Sequence, residues 1–208
     1  MPRVSKSPEE RRNELVDAAE ALFSEKGYFL TAVSDIVRRV GVSQGAFYYY
    51  FKSKAEIADA LVQRIVERVF ALFAEGVDRP DLTPTEKLSR LFELDRHGFN
   101  HEEGMGALYH HLHSEENTFL HQKLISRIIE RFAPMVAQLI DQGKEEGAFR
   151  TGQNALYLAE FLLTGYQFWT DSAFFERSEE ERLRRLASIG GFVEALLVAN
   201  PNTIRIGT

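Results

Sequence analysis

Apolar residues recur at three- and four-residue spacing along almost the whole chain, the signature of helices with one buried face. Ser7-Pro8-Glu9-Glu10 places a hydroxyl at the N-cap, proline at the first helical position and glutamate at the capping-box position. The helix it opens carries Leu15, Ala18, Ala19, Leu22 and Phe23 on one stripe and stops at Gly27. Thr31 is expected to cap a short second helix with Val33, Ile36, Val37 and Val40 inward, broken at Gly41. Ser43 caps a third, shorter helix to about Tyr50, in which Phe47 and Phe51, four apart, should face the core. Ser53 and Glu56 open a long fourth helix with Ile57, Ala58, Leu61, Ile65, Val69 and Leu72 on one face.

A loop from Gly76 to Leu82 follows, and Thr83-Pro84-Thr85-Glu86 repeats the capping logic for a fifth helix toward Asn100. A short sixth segment is bounded by Gly104, Gly106 and His113. From Ser114 a long helix runs through Leu120, Leu124, Ile128, Phe132, Val136 and Leu139, and its periodicity continues past Pro134, which should kink it rather than divide it. Two more helices are expected, from Asn154 to about Ala173 and, capped by Ser178 with Glu181, to about Ala199, with Asn200–Thr208 a frayed tail. No turn-bounded alternating run suggests a strand. The expected architecture is all-α with about nine helices, the first three a helix-turn-helix domain over 1–54 joined without a flexible linker to a larger domain over 55–208.

Composition narrows what such a fold can do. With no cysteine there is neither a disulfide nor thiolate chemistry, and 44% hydrophobic residues suffice for a core. Met1-Pro2-Arg3 leads into charged residues with no long apolar stretch, so neither a signal peptide nor a membrane span is expected, and the location read from this is cytoplasmic. The net charge of −6 speaks against phosphate contact until it is divided. Residues 1–54 hold nine basic and seven acidic groups, a net of +2, and Arg38, Arg39, Lys52 and Lys54 fall within a window that holds no acid. The remainder holds 16 basic and 24 acidic groups, a net of −8.

The second and third helices, joined by a few residues, have the layout of a helix-turn-helix, whose second helix enters the major groove. Helix three offers a long amide at Gln44, small residues at Gly45 and Ala46 that admit close approach, and phenols at Tyr48, Tyr49 and Tyr50 able to reach phosphates or thymine methyls. Short helix pairs and tyrosine-rich stretches also border cores in proteins that never touch DNA. Residues Leu15 to Leu61, with Ala18-Ala19, Leu22-Phe23, Gly27-Tyr28 and Thr31-Ala32-Val33-Ser34-Asp35-Ile36, then GVSQGAFYYYFKSK from Gly41 to Lys54, resemble the N-terminal domain of the TetR family of transcriptional regulators. The resemblance implies a phosphate contact at Thr31, base contacts from Gln44 to Ala46, and backbone contacts from Tyr48 to Tyr50 and Lys54, with Ser43 at the head of the same helix. Departures are Gln44, where relatives often have lysine or another polar residue, and Val37 and Val40, where they often have an alanine. Gln44 could pair with adenine at two points, so the operator cannot be borrowed.

Beyond residue 55 the resemblance is one of layout. It implies no catalytic centre and no cofactor, but a unit that binds a small effector and pairs with a second copy through the last two helices, where Leu183, Leu186, Ala187, Gly190, Val193 and Leu197 mark one face. The aromatics Phe92, Phe99, Tyr109, Phe132, Tyr157, Phe161, Tyr166, Phe168 and Trp169 favour an apolar or aromatic effector, each one being a pocket or a packing residue. All six histidines lie from His97 to His121; His97 and His101 share a helix face and are the weak candidates for a metal, in an alternative reading as a metal-dependent helical enzyme or metal sensor. The leading expectation is a homodimeric repressor that binds a palindromic operator and is released by a small apolar or aromatic effector. A DNA-binding protein that answers to a protein partner instead is the third reading.

Overall fold

In the computed structural model residues 6–77, 79–101, 115–170 and 178–205 are described, those at 94–101, 115, 179 and 182 by backbone alone. Among the described residues every regular element is a helix: α1 (Pro8–Lys26), α2 (Val33–Val40), α3 (Gln44–Tyr50), α4 (Lys54–Val77), α5 (Pro84–His101), a 3-10 turn (Glu115–Asn117), α6 (Thr118–Glu145), α7 (Ala155–Thr170) and α8 (Glu179–Leu197). Eight α-helices thus stand where about nine were expected, and the segment between Gly104 and His113 lies outside the described residues. None is long and apolar enough to cross a membrane.

The caps explain most starts. Ser7 Oγ accepts the amide of Glu10 at 3.1 Å and the Glu10 carboxylate accepts the amide of Ser7 at 2.6 Å. Thr83 with Glu86 repeats the exchange at 2.8 and 3.3 Å, and Ser178 Oγ accepts the Glu181 amide at 3.2 Å. Helix α2 differs from expectation: its N-cap is Ala32, whose amide donates to Asp35 at 3.0 Å, because the Thr31 hydroxyl turns back and donates to the carbonyl of Gly27 at 2.8 Å. Helix α4 runs on to Val77, so the loop before Thr83 is shorter than the span from Gly76. Helix α6 passes through Pro134 without interruption.

The described residues form two compact units, 6–65 with 115–124 and 66–101 with 125–205, whose boundaries fall within α4 and within α6. The first has Leu15, Ala19, Phe23, Ile36, Phe47, Phe51, Ile57 and Leu61 at its centre. The start of α6 belongs to it: the buried Asn117 amide donates to the Phe23 carbonyl at 3.0 Å and its oxygen accepts the Tyr28 amide at 2.9 Å. Phe119 stacks on Tyr28 with centroids 4.7 Å apart. Gly27 has φ +84°, and a Cβ there would meet Glu116 Cβ at 2.6 Å, so only glycine fits.

In the second unit Val69, Phe73, Leu88, Phe92, Phe132, Ile140, Leu163 and Leu197 are buried. Gly143 lies under the ring of Phe149, whose Cγ is 2.9 Å from where a Cβ would stand. The C-terminal segment is docked rather than frayed through residue 205: Ile204 is buried, its amide donates to Glu194 at 2.8 Å, and the amide of Arg205 donates to Ser89 at 3.0 Å. Helix α7 is apolar on two faces, with Leu158, Ala159, Leu162 and Leu163 inward and Tyr157, Phe161 and Phe168 exposed. On α8, Leu186, Val193 and Leu197 pack inside this chain, which corrects the single face expected; the outward side carries Leu183, Ala187, Gly191 and Phe192.

Candidate nucleic-acid interface and effector cleft

Helix α3 has seven residues, too few to stand alone, and is held by its inner side. Phe47 and Phe51 are buried to 0% and 1% exposure, their rings 5.8 Å apart, as their spacing required. Arg12 of α1 lies 5.0 Å over the Phe51 ring. Ser43 Oγ accepts the Ala46 amide at 3.1 Å, which fixes the first turn. With the inner side pinned, Gln44 and Gly45 are exposed, and Tyr48 and Tyr49 are exposed to 54% and 78%. Tyr50 is half-buried and meets Tyr49 edge to face at 4.8 Å. One surface thus presents an amide, two phenols and a backbone with no side chain at Gly45, the inventory that base edges and phosphates require.

Two residues of the expected DNA-facing set are placed otherwise. Thr31 is 1% exposed with its hydroxyl on the Gly27 carbonyl, so its side chain is turned inward onto the end of α1. Lys54, at the start of α4, donates to the carbonyls of Tyr28 and Thr31 at 2.8 Å each and of Phe29 at 3.3 Å, and its ammonium sits 4.3 Å over the Tyr28 ring. Burial pushes the Lys54 pKa down. Its charge tightens the junction between α1, α2 and α4 rather than standing clear of it. Among the neighbouring cations Arg39 is paired with Glu25 at 2.7 Å, and Arg38 keeps 76% of its side chain exposed. Asp35 has its pKa lowered, first by the hydrogen bond from Lys26 and then by the Ala32 amide, so it stays ionised as the cap of α2.

In the second unit, three of the expected pocket aromatics come together. Phe92, Phe132 and Tyr166 line a cleft with Val69, Phe73, Leu91, Ile128, Leu163 and Gln167, and the rings of Phe92 and Tyr166 are 4.9 Å apart. Its volume is about 30 Å³. Phe161 and Phe168 are 65% and 44% exposed on the other face of α7, and Trp169 packs on Phe192 at 4.9 Å, so none of these three lines the cleft. Tyr109 and the side chain of Phe99 lie outside the described residues. The aliphatic wall could not be singled out from the sequence because Val69, Ile128 and Leu163 sit at ordinary core spacing. Gln167 carried no pattern at all.

His110, His111, His113 and the side chains of His97 and His101 lie outside the described residues, and His121 is buried on α6. Among the described residues no group of three or more His, Asp or Glu is placed to hold a metal ion.

Comparison with known proteins gives two family matches, "Bacterial regulatory proteins, tetR family" over residues 15–61 and "Tetracyclin repressor-like, C-terminal domain" over residues 106–190. The chain is 32% identical over 153 residues to the HTH-type transcriptional repressor KstR2 of Mycobacterium tuberculosis, covering 72% of this chain and 74% of that protein. It is 25% identical over 193 residues to the HTH-type transcriptional repressor DhaR of Mycobacterium sp. strain GP1, covering 92% and 94%. In fold it is similar to SmeT, the repressor of the Stenotrophomonas maltophilia multidrug efflux pump SmeDEF, with a TM-score of 0.64 and 20% identity over 95% of this chain and 94% of that one.

Proposed function

The chain belongs to the TetR family of bacterial regulatory proteins, a transcriptional regulator and not an enzyme, and from that premise we propose that it is a homodimeric repressor which reads a palindromic operator with α3. Regulators of this family bind operator DNA and small-molecule effectors as dimers, and the metal-enzyme alternative has no support. The observation that carries the assignment of the reading surface is the outward face of α3, with Gln44, Gly45, Ala46, Tyr48 and Tyr49 set by the buried Phe47 and Phe51. Residues 1–54 form the DNA-binding part and 55–208 the sensing and pairing part. Two copies would set their α3 helices one DNA turn or a multiple apart, roughly 34–36 Å per turn.

A gel shift with the DNA upstream of its own gene tests this. Retardation should fall steeply with added salt, since phosphate contact releases counterions. Tyr49→Ala should weaken it about tenfold, the loss of one well-placed contact. No retardation at low salt would overturn the reading.

Pairing through α7 and α8 is supported by their outward apolar side, in which Gly165 and Gly191 face open space: a Cβ at either meets nothing within 4 Å. A charged side chain at Gly165 therefore costs the single chain nothing sterically but would be buried unpaired between two copies. Gly165→Glu is expected to weaken the dimer at least a hundredfold in sedimentation equilibrium with the helical spectrum unchanged. A dimer as tight as the parent's would send the interface elsewhere.

The effector we propose is apolar or aromatic and enters the Phe92–Phe132–Tyr166 cleft. At about 30 Å³ that cleft has the volume of one water in the liquid, against hundreds of Å³ for ligand pockets. Binding must therefore select a state in which these rings stand apart, which is how occupancy shifts the population between operator-binding and released forms. A thermal-shift screen in which only polar compounds stabilise the protein would refute it.

A further inference from the structure

A second opening in the second unit, along α4, the start of α5 and α6, has about 460 Å³, within the size range of small-molecule sites. Its floor is apolar, with Phe70, Val77, Met135 and Leu139. Arg131 stands on that floor with its guanidinium 3.3 Å over the Phe70 ring, and its Nε donates to the Glu67 carboxylate at 3.1 and 3.2 Å. Ring and carboxylate together fix the plane of the guanidinium. Its two terminal nitrogens take no acceptor among the described residues, which leaves an oriented two-pronged donor, the geometry that matches a carboxylate. Lys87 is a second cation on the rim, 3.3 Å from the Gln142 amide oxygen, while Gln142 Nε2 donates to Glu146 at 2.7 Å. The carboxylates of Glu67 and Glu146 are thus each engaged by a neighbouring side chain, and among the described residues the charged groups of the groove left with unmet hydrogen bonds are the cations Arg131 and Lys87, beside the neutral amide of Gln138.

We propose that this groove is a binding site for a small amphipathic anion, an apolar body carrying one carboxylate, separate from the aromatic cleft. The body lies on Phe70, Met135 and Leu139, and the carboxylate accepts both terminal nitrogens of Arg131. Neither the cations nor the apolar floor suffices alone: Arg131 is half-exposed, where an ion pair by itself contributes little, and the floor by itself would not distinguish an acid from an alcohol.

Calorimetric titration of the full chain with decanoate and with decan-1-ol, the same apolar body without the charge, tests it. Decanoate should bind about ten- to a hundredfold more tightly, the range of a charge-assisted two-point hydrogen bond. Arg131→Met, which keeps a flexible apolar stem, should remove that difference and leave decan-1-ol unchanged. Gln138→Glu, at an exposed groove position, should weaken decanoate alone, and it decides between the outcomes should the Arg131 variant fail to fold. Equal affinity for acid and alcohol, no binding of decanoate, or an undiminished preference in the variants would overturn the proposal. Loss of decanoate binding in Leu163→Trp, which fills the aromatic cleft, with retention in Arg131→Met would do the same by placing the ligand there. The titration uses protein without DNA, so its failure leaves the operator reading standing.

Discussion

Replacing Asn117 by alanine is expected to lower the thermal unfolding midpoint by roughly 6–12 °C. The reason is positional. Asn117 is 2% exposed, and its amide satisfies two backbone groups at once, the Phe23 carbonyl at the end of α1 and the Tyr28 amide just beyond it. Alanine leaves the Tyr28 amide buried without its partner, at about 2 kcal/mol, and removes one of two donors from the Phe23 carbonyl, which keeps the Gly27 amide at 2.9 Å, at about 1 kcal/mol, hence about 3 kcal/mol together. The surroundings cannot close over the gap, because Gly27 already touches Glu116 at a distance no Cβ could share and Phe119 is stacked on Tyr28. Asn117→Asp keeps an acceptor for Tyr28 but sets a carboxylate oxygen against the Phe23 carbonyl, so it should rescue little. Scanning calorimetry reads the midpoint, and hydrogen exchange at the Tyr28 amide reads the site itself. A midpoint within about 1 °C of the parent, with the Tyr28 amide still protected, would show that the peg does not hold the junction.

Asn117 also shows where reading the chain alone stops. Caps, periodicity and the inward pair Phe47 and Phe51 are local, decided within about four residues, and these were legible. The partners of Asn117 are 89 and 94 residues away, and nothing in its neighbourhood marks it. The cap expected of Thr31 belongs to Ala32 for a related reason: a threonine near a helix start reads as a cap, and only the packed junction shows that Thr31, like Lys54, already donates to carbonyls around Tyr28. For α7 the period was right but the direction ambiguous. With apolar residues on two faces, spacing could not say that Tyr166 turns toward the cleft while Phe161 turns outward. The groove beside Arg131 was invisible because arginine, phenylalanine and glutamine from α4 and α6 converge there with Lys87 of α5 without any motif.

The charge pattern sharpens the operator test in the same way. Of the four N-terminal cations grouped in sequence, Lys54 donates to carbonyls, Arg39 pairs with Glu25 at 2.7 Å and Arg38 lies 3.4 Å from Asp35 with 76% of its side chain exposed, so on the proposed reading direct phosphate contact would rest on fewer uncompensated charges than the count suggested. On the reading proposed for α3, specificity and affinity then depend on the fit of that helix, and a clean perturbation there must spare the fold. Gly45 offers one. A Cβ at that position meets only Ser43 Oγ at 3.7 Å, an ordinary contact, and the residue is exposed in the first turn of α3. Glutamate there is sterically free. It gains about 0.5–1 kcal/mol over glycine in helix propensity and is favoured near the positive end of the helix.

Gly45→Glu is therefore expected to leave the unfolding midpoint unchanged or raise it by roughly 1–3 °C while weakening operator binding at least a hundredfold, about 3 kcal/mol. Bulk and negative charge would both meet the floor and walls of the groove, and Gly45→Ala separates them by adding the bulk of one methyl without the charge. Fluorescence anisotropy on the operator, at fixed salt because phosphate contact is strongly salt-dependent, gives the affinities. Undiminished binding by Gly45→Glu with a folded dimer would move the reading surface off α3. A fall in both stability and affinity would mean that Gly45 serves the fold, contrary to the open space around it.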